Sequence, residues 1–204
     1  GIGAATALQL AGLGCHAVVN YHSNSAGAER VVEQCQALGV EALAVGGDVA
    51  KDEVCKALAQ AAIDKWGRID VLVNNAGTTK FVDHRDLDGL DAEDFQRIYG
   101  VNVIGCYQMT RAVTAAMEAN EEGGAVVNVA STAAVTGIGS SIAYAASKGA
   151  MVTMTLSLAR ALGPKETRLV TNIFDPVRDK SSLNISLSLS PFFSGTVIFR
   201  FFSL

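Results

Sequence analysis

The chain has no cluster of lysine or arginine, and its 16 basic side chains are outnumbered by 20 acidic ones, giving a formal net charge of -4. That balance speaks against a nucleic-acid or anionic-membrane surface and leaves small molecules as the expected partners. Metal-ligand spacing is missing too. Cys15, Cys35, Cys55 and Cys106 stand alone, with no Cys-x-x-Cys and no nearby His pair, so neither a zinc site nor a disulfide framework is expected. They read as small buried hydrophobes of a reducing compartment, and no metal is anticipated. A charged n-region with an apolar h-region does not open the chain. Pro191, Gly195 and Arg200 interrupt the Phe-rich stretch Pro191 to Leu204, which speaks against a transmembrane helix of about 20 apolar residues. The expected location is cytoplasmic. Because the opening reads as incomplete, a removed organelle-targeting segment stays open as an alternative.

What is present is a 204-residue chain, half of it apolar, long enough for one domain with a substantial core. Short, β-branched, nearly continuous apolar runs predict strands at Ala17 to Asn20, Ala42 to Val45, Val71 to Asn74, Ala125 to Val129 and Arg168 to Ile173. Helical periods between them predict helices at Ala4 to Leu13, Ser25 to Leu38, Lys51 to Trp66, Ala92 to Ala119 and Ser141 to Leu162. Gly14, Gly39, Gly67 and Gly163 fall where C-terminal caps belong. Alternating βα units imply an α/β fold, a doubly wound, Rossmann-like parallel sheet in a three-layer αβα arrangement. This domain is expected over residues 1–173, with an atypical tail over 174–204, where Ser181 to Ser190 alternates as a half-wet strand would.

Tyr144 and Lys148 are four residues apart in a helical run, with Ser131 thirteen residues before the tyrosine. Positions i and i+4 share a helix face, which would hold an ammonium beside a phenol. A neighbouring cation favours the phenolate and moves tyrosine, ordinarily titrating near pH 10, toward the working range. Ser131, just past an apolar run, could hydrogen-bond the carbonyl or hydroxyl whose proton the tyrosine exchanges. The bland reading is a surface helix whose lysine snorkels past an aromatic ring.

Gly1-Ile2-Gly3 leads directly into a helical segment, where glycines let the backbone approach a pyrophosphate held by the helix N-terminus. Any tight turn also uses glycine. A dinucleotide-binding unit should carry a buried strand before this loop, and none is present. The first strand is therefore expected to be missing, leaving two central strands with unpaired edges.

Together these residues resemble the short-chain dehydrogenase/reductase family, specifically its 3-oxoacyl-carrier-protein reductase-like members. The matching positions are Gly1-Ile2-Gly3, Asp48-Val49, Asn74-Asn75-Ala76-Gly77, Asn102, Ser131 and Tyr144-x-x-x-Lys148, spread over Gly1 to Ile173. The resemblance implies that Gly1, Ile2 and Gly3 cradle the phosphates, Asp48 bonds the adenine amino group, and the Val49 backbone flanks the ring. Asn75, Ala76 and Gly77 would line the adenine ribose, and Asn102 would kink its helix and hold a water of a proton relay. Lys148 would bind the nicotinamide ribose and lower the tyrosine pKa, Ser131 would orient the carbonyl, and Tyr144 would donate the proton. Without the resemblance, Asn74 to Gly77 reads as an Asx-type turn and Asn102 as a tolerated polar residue.

Cofactor choice falls at Val18-Val19-Asn20-Tyr21-His22-Ser23, which holds no carboxylate to repel a 2'-phosphate. Asn20 and Tyr21 resemble NADP-using members, so NADP is expected with NAD as the alternative; His22 reads as an exposed loop residue. After Ile173 the chain departs from the family. Pro176 stands near the usual turn without its glycine, and Phe193 to Ile198 only faintly resembles the family's last strand. The expected function is reversible hydride transfer between a nicotinamide cofactor and a ketone, 3-oxoacyl or secondary-alcohol substrate, by a homodimer or homotetramer. Rival readings are a non-catalytic fragment or pseudoenzyme pairing with a complete relative, and an epimerase or dehydratase sharing the Tyr and Lys.

Overall fold

Continuous apolar, β-branched runs become strands because they can be buried on both faces. The computed structural model describes residues 1–163, 167–172 and 196–200. Its strands are β1 (His16–Tyr21), β2 (Ala42–Gly46), β3 (Val71–Asn74), β4 (Gly124–Val129), β5 (Thr167–Asn172) and β6 (Thr196–Arg200). Helices α1 (Ile2–Ala11), α2 (Ser25–Ala37), α3 (Asp52–Trp66), α4 (Ala92–Tyr99), α5 (Gly105–Glu118), α6 (Ala133–Thr136) and α7 (Ile142–Leu162) lie between them. All pairings are parallel, in the order β2-β1-β6-β3-β4-β5. Every residue of β3 is buried, as expected for a strand covered on both sides.

The centre of the sheet corrects the expectation of an empty slot. β6, from the region read as an atypical tail, lies between β1 and β3. It pairs His16 with Thr196 through Asn20 with Arg200 on one side, and Val71 with Val197 through Val73 with Phe199 on the other. Thr-Val-Ile can fill the slot because successive side chains face opposite layers. Val197 joins the core of Ala7, Leu10, Val19 and Val32, while Ile198 joins that of Leu58, Leu72, Met109 and Val113. Asp70, just before β3, anchors the strand's start. Its N–H donates to the Thr196 carbonyl at 2.9 Å, and its carboxylate accepts the Thr196 N–H at 2.7 Å. Arg68 in turn braces that carboxylate at 2.6 Å. The alternating segment Ser181 to Ser190 lies outside the described residues.

Three other expectations change. α1 begins at Ile2, so Gly3 is buried within its first turn and not in a preceding loop. The run Ala92 to Ala119 is two helices joined by a π-helical turn at Gly100–Ile104, with buried Asn102 at its middle. Gly163 closes α7 in a right-handed conformation, φ -56°, whereas Gly67 closes α3 in the left-handed one, φ 72°. Among the described residues no helix is long and apolar enough to cross a membrane, and no cluster of His, Cys, Asp or Glu could hold a metal.

Candidate active site

Ser141 starts α7 by accepting the Tyr144 N–H at 3.3 Å, which fixes the first turn and the direction of the tyrosine. One turn later Lys148 is buried to 2 % exposure, and its Nζ donates to the carbonyl of Val129, the last residue of β4, at 2.7 Å. The ammonium stands 5.8 Å from the centre of the Tyr144 ring. Two residues beyond Val129, Ser131 accepts the Ala133 N–H at 3.2 Å, and its hydroxyl is near enough to the Tyr144 phenol to influence it. The end of β4 and the first turns of α7 thus bring together the three residues that sequence reasoning singled out.

Burial raises the Tyr144 phenol above its ordinary value of 10.0, and the Ser131 hydroxyl offsets part of that rise. The sequence expectation was the opposite direction, on the strength of the neighbouring ammonium. Loss of solvent sets the direction, and the phenol is held protonated at neutral pH, the state a proton donor needs.

Asn102 ties this cluster to the β3 end of the sheet. It accepts from the Thr78 N–H at 2.8 Å and donates to the Thr78 carbonyl at 3.1 Å and to Ser147 Oγ at 2.9 Å. Ser147 Oγ in turn donates a hydrogen bond to the Tyr144 carbonyl at 2.7 Å. A second buried chain runs from Asn74 to Asn128 at 2.9 Å and on to Thr155 at 2.8 Å, joining β3, β4 and α7. Sequence reasoning missed Thr78, Ser147 and Asn128. Asn128 had a readable signal, since an amide within an apolar strand must find partners on burial; Thr78 and Ser147 had none.

A cavity of about 220 Å³ reaches this network through Thr78, which is in its wall and is held by Asn102. Asn20, His22, Gly47, Asp48 and Val49 form one wall, Ala76, Gly77, Thr78, Arg97 and Val101 the other. Five of the residues expected to bind cofactor therefore meet: Asn20, Asp48, Val49, Ala76 and Gly77. Asn20 is held by donating to the Val45 and Gly47 carbonyls at 3.1 and 3.2 Å, and Asp48 accepts the Ala50 N–H at 3.0 Å. Gly1, Ile2, Gly3, Tyr21, Asn75, Tyr144 and Lys148 do not line it. The Tyr21 ring packs against Gly46 instead, Asn75 is buried after β3, and Gly1 to Gly3 start α1. His22, read as a loop residue, borders the cavity while remaining exposed.

The donor set fits a dinucleotide. Asp48 can accept from an amino group, Val49 and Val101 offer apolar cover, and no carboxylate at the end of β1 opposes a 2'-phosphate.

Beyond the cavity, Phe81, Val82, Asp83, Gly139 and Ser140 form an open groove. Val82 N–H to Ser140 O at 2.9 Å and Thr79 Oγ1 to Ser140 Oγ at 2.6 Å lock its two loops together. Phe81, Val135 and Ile138 are each more than 70 % exposed here. Gly139 connects the groove to the catalytic group, since a Cβ there would stand 3.4 Å from the Tyr144 ring.

The short chain dehydrogenase family matches residues 1–177. A 3-oxoacyl-[acyl-carrier-protein] reductase of Synechocystis sp. is 38% identical over 167 residues, which are 81% of this chain and 65% of that protein. The chain thus spans just under two thirds of that relative's length. Among solved structures, a Burkholderia xenovorans protein assigned to the short-chain dehydrogenases/reductases superposes with a TM-score of 0.82 at 34% identity, over 98% of this chain and 92% of that one. A metagenomic short-chain oxidoreductase in complex with NADP gives a TM-score of 0.78 at 29% identity, over 86% of this chain and 77% of that one.

Proposed function

The chain belongs to the short-chain dehydrogenase family, and on that premise we propose that it is an NADP-dependent oxidoreductase interconverting a ketone or 3-oxoacyl carbonyl and the corresponding secondary alcohol. The observation that carries this reading is the half-buried Tyr144 phenol, its raised pKa partly offset by the neighbouring Ser131 hydroxyl and with the Lys148 ammonium 5.8 Å from its ring centre. When bound, the nicotinamide cofactor supplies or accepts the hydride. Ser131 orients the carbonyl through its hydroxyl, and Tyr144 Oη gives its proton to the oxygen that becomes the alcohol. Lys148, fixed by the Val129 carbonyl, favours the phenolate left behind. Asn102 sets the distance between this group and the cavity.

NADP over NAD is supported by the absence of a carboxylate at Asn20-Tyr21-His22 and by the NADP complex of the metagenomic relative. A 3-oxoacyl substrate is supported by the Synechocystis relative and by the groove at Phe81 and Val82, which suits an unbranched chain beside the reacting carbonyl. Exposed Phe95, Ile104, Tyr107 and Leu156, on α4, the π-turn, α5 and α7, suit burial in a homodimer or homotetramer. A cytoplasmic site of action completes the proposal. The pseudoenzyme reading is disfavoured by the presence of the whole Ser131, Tyr144, Lys148 and Asn102 set.

The deciding experiment follows NADPH oxidation with 3-oxoacyl thioesters and simple ketones, alongside NADPH binding by fluorescence. Turnover by the wild-type chain, lost in Tyr144→Phe with binding retained, supports the reading. Equal rates in the two chains would sink it.

A further inference from the structure

The two walls of the dinucleotide cavity do not belong to neighbouring strands. Asn20 is next to last in β1, and Gly47 to Val49 follow β2, next to it; Ala76 to Thr78 follow β3, with Arg97 and Val101 beyond. Between β1 and β3 lies only β6. Adjacent strands stand about 4.8 Å apart, so β6 holds the two walls at about twice that separation. It also floors α1, since Val197 packs in the same core as Ala7 and Leu10. Thr196, Val197 and Ile198 do not line the cavity. Its effect is exerted through the strands on either side, and 23 residues separate it from the end of β5.

We propose that docking of Thr196–Arg200 between β1 and β3 and dinucleotide binding in the cavity are one linked equilibrium. The strand sets the width of the site, and a dinucleotide spanning both walls locks the strand in place. This rests on the dinucleotide reading given above. Val197 and Ile198 are positioning residues, buried to 0 % exposure and aimed into opposite layers. Asp70 fixes the register by holding both the N–H and the carbonyl of Thr196. Linkage is reciprocal: whatever binds only the docked form suppresses undocking by the factor 1 + [L]/Kd.

Hydrogen exchange on the whole 204-residue chain, with and without NADPH, tests this. At a concentration about 100 times Kd, the amides of residues 197–199 should exchange about 100-fold more slowly. Ile198→Asp, which places a charge in the buried layer, should weaken NADPH binding at least tenfold, while Ile198→Val should stay within about twofold of wild type. NADPH binding that leaves exchange at 197–199 unchanged would overturn the linkage and spare the dinucleotide reading. So would an Ile198→Asp chain, folded by circular dichroism, that binds NADPH as tightly as wild type. A folded wild-type chain without NADPH binding would overturn the dinucleotide reading and the linkage with it.

Discussion

Asn102 holds the peptide of Thr78 by both faces, its Oδ1 accepting the Thr78 N–H at 2.8 Å and its Nδ2 donating to the Thr78 carbonyl at 3.1 Å. The amide thereby does what a neighbouring strand would do for an isolated loop residue, at the point where the cavity wall meets the catalytic group. Its placement in a π-turn follows, because a regular helix from Ala92 onward would carry the side chain out of that register. Replacing it by Asp sets an acceptor against the Thr78 carbonyl and leaves a buried group unpaired. Asn102→Asp should lower stability by about 2 kcal/mol in urea unfolding and weaken NADPH binding; an unchanged midpoint would show that the loop is held elsewhere.

Tyr144 predicts a directional pH profile. Its phenol is raised above 10.0 by burial, so carbonyl reduction should hold its rate through neutral pH and fall only on the alkaline side. Alcohol oxidation, which needs the phenolate, should rise over the same range. A raised folded-state value also means that stability present below pH 10.0 is lost as pH climbs beyond it. Tyr144→Phe should cut turnover by at least about 100-fold and remove that alkaline component, as initial rates and melting temperatures between pH 7 and 11 would register.

Gly139 leaves room that the tyrosine uses. A Cβ there would come to 2.9 Å of the Ala133 Cβ and 3.4 Å of Tyr144 Cδ1. The alanine methyl cannot swing aside, so the loop or the ring must move. Gly139→Ala is expected to lower kcat by about tenfold while NADPH affinity stays within twofold, since small misplacements at a reacting group are costly. Loss of both together would place the effect in general folding.

Asp94 receives Lys80 Nζ at 2.6 Å and Arg97 Nη2 at 3.1 Å, and Arg97 also reaches Thr78 Oγ1 at 3.3 Å. The Lys80 hydrogen bond, followed by that of Arg97, holds its carboxyl below the ordinary 3.8. A depressed carboxylate stabilises the fold above that value, and the contribution is lost as pH falls through the lowered one. Asp94→Asn should therefore melt earlier at neutral pH but lose less on acidification from pH 4 to 2. Parallel acid limbs in the two proteins would contradict the pairing.

Much of this was legible beforehand. Val71 to Asn74 is a strand in both readings because a four-residue buried run has no alternative, and Tyr144 with Lys148 shares a face through helical spacing alone. The sheet's centre was not legible. Thr196 to Arg200 is too short to announce a partner, and nothing local tells a strand for the middle from one for the edge; that choice is made by the open sides of β1 and β3. Periodicity read one helix over Ala92 to Ala119, and only the family resemblance pointed to a break at Asn102, whose partner Thr78 lies 24 residues away. The direction of the Tyr144 shift was misjudged for a related reason: spacing reveals a neighbouring charge but not how much water has been removed.

The strand order also dictates when this molecule can become whole. The β2-β1 and β3-β4-β5 segments emerge from the ribosome before the strand that joins them, each with an unpaired backbone edge waiting for residues that have not yet been translated. Closure is among the least local contacts in the chain and is expected to be its slow step.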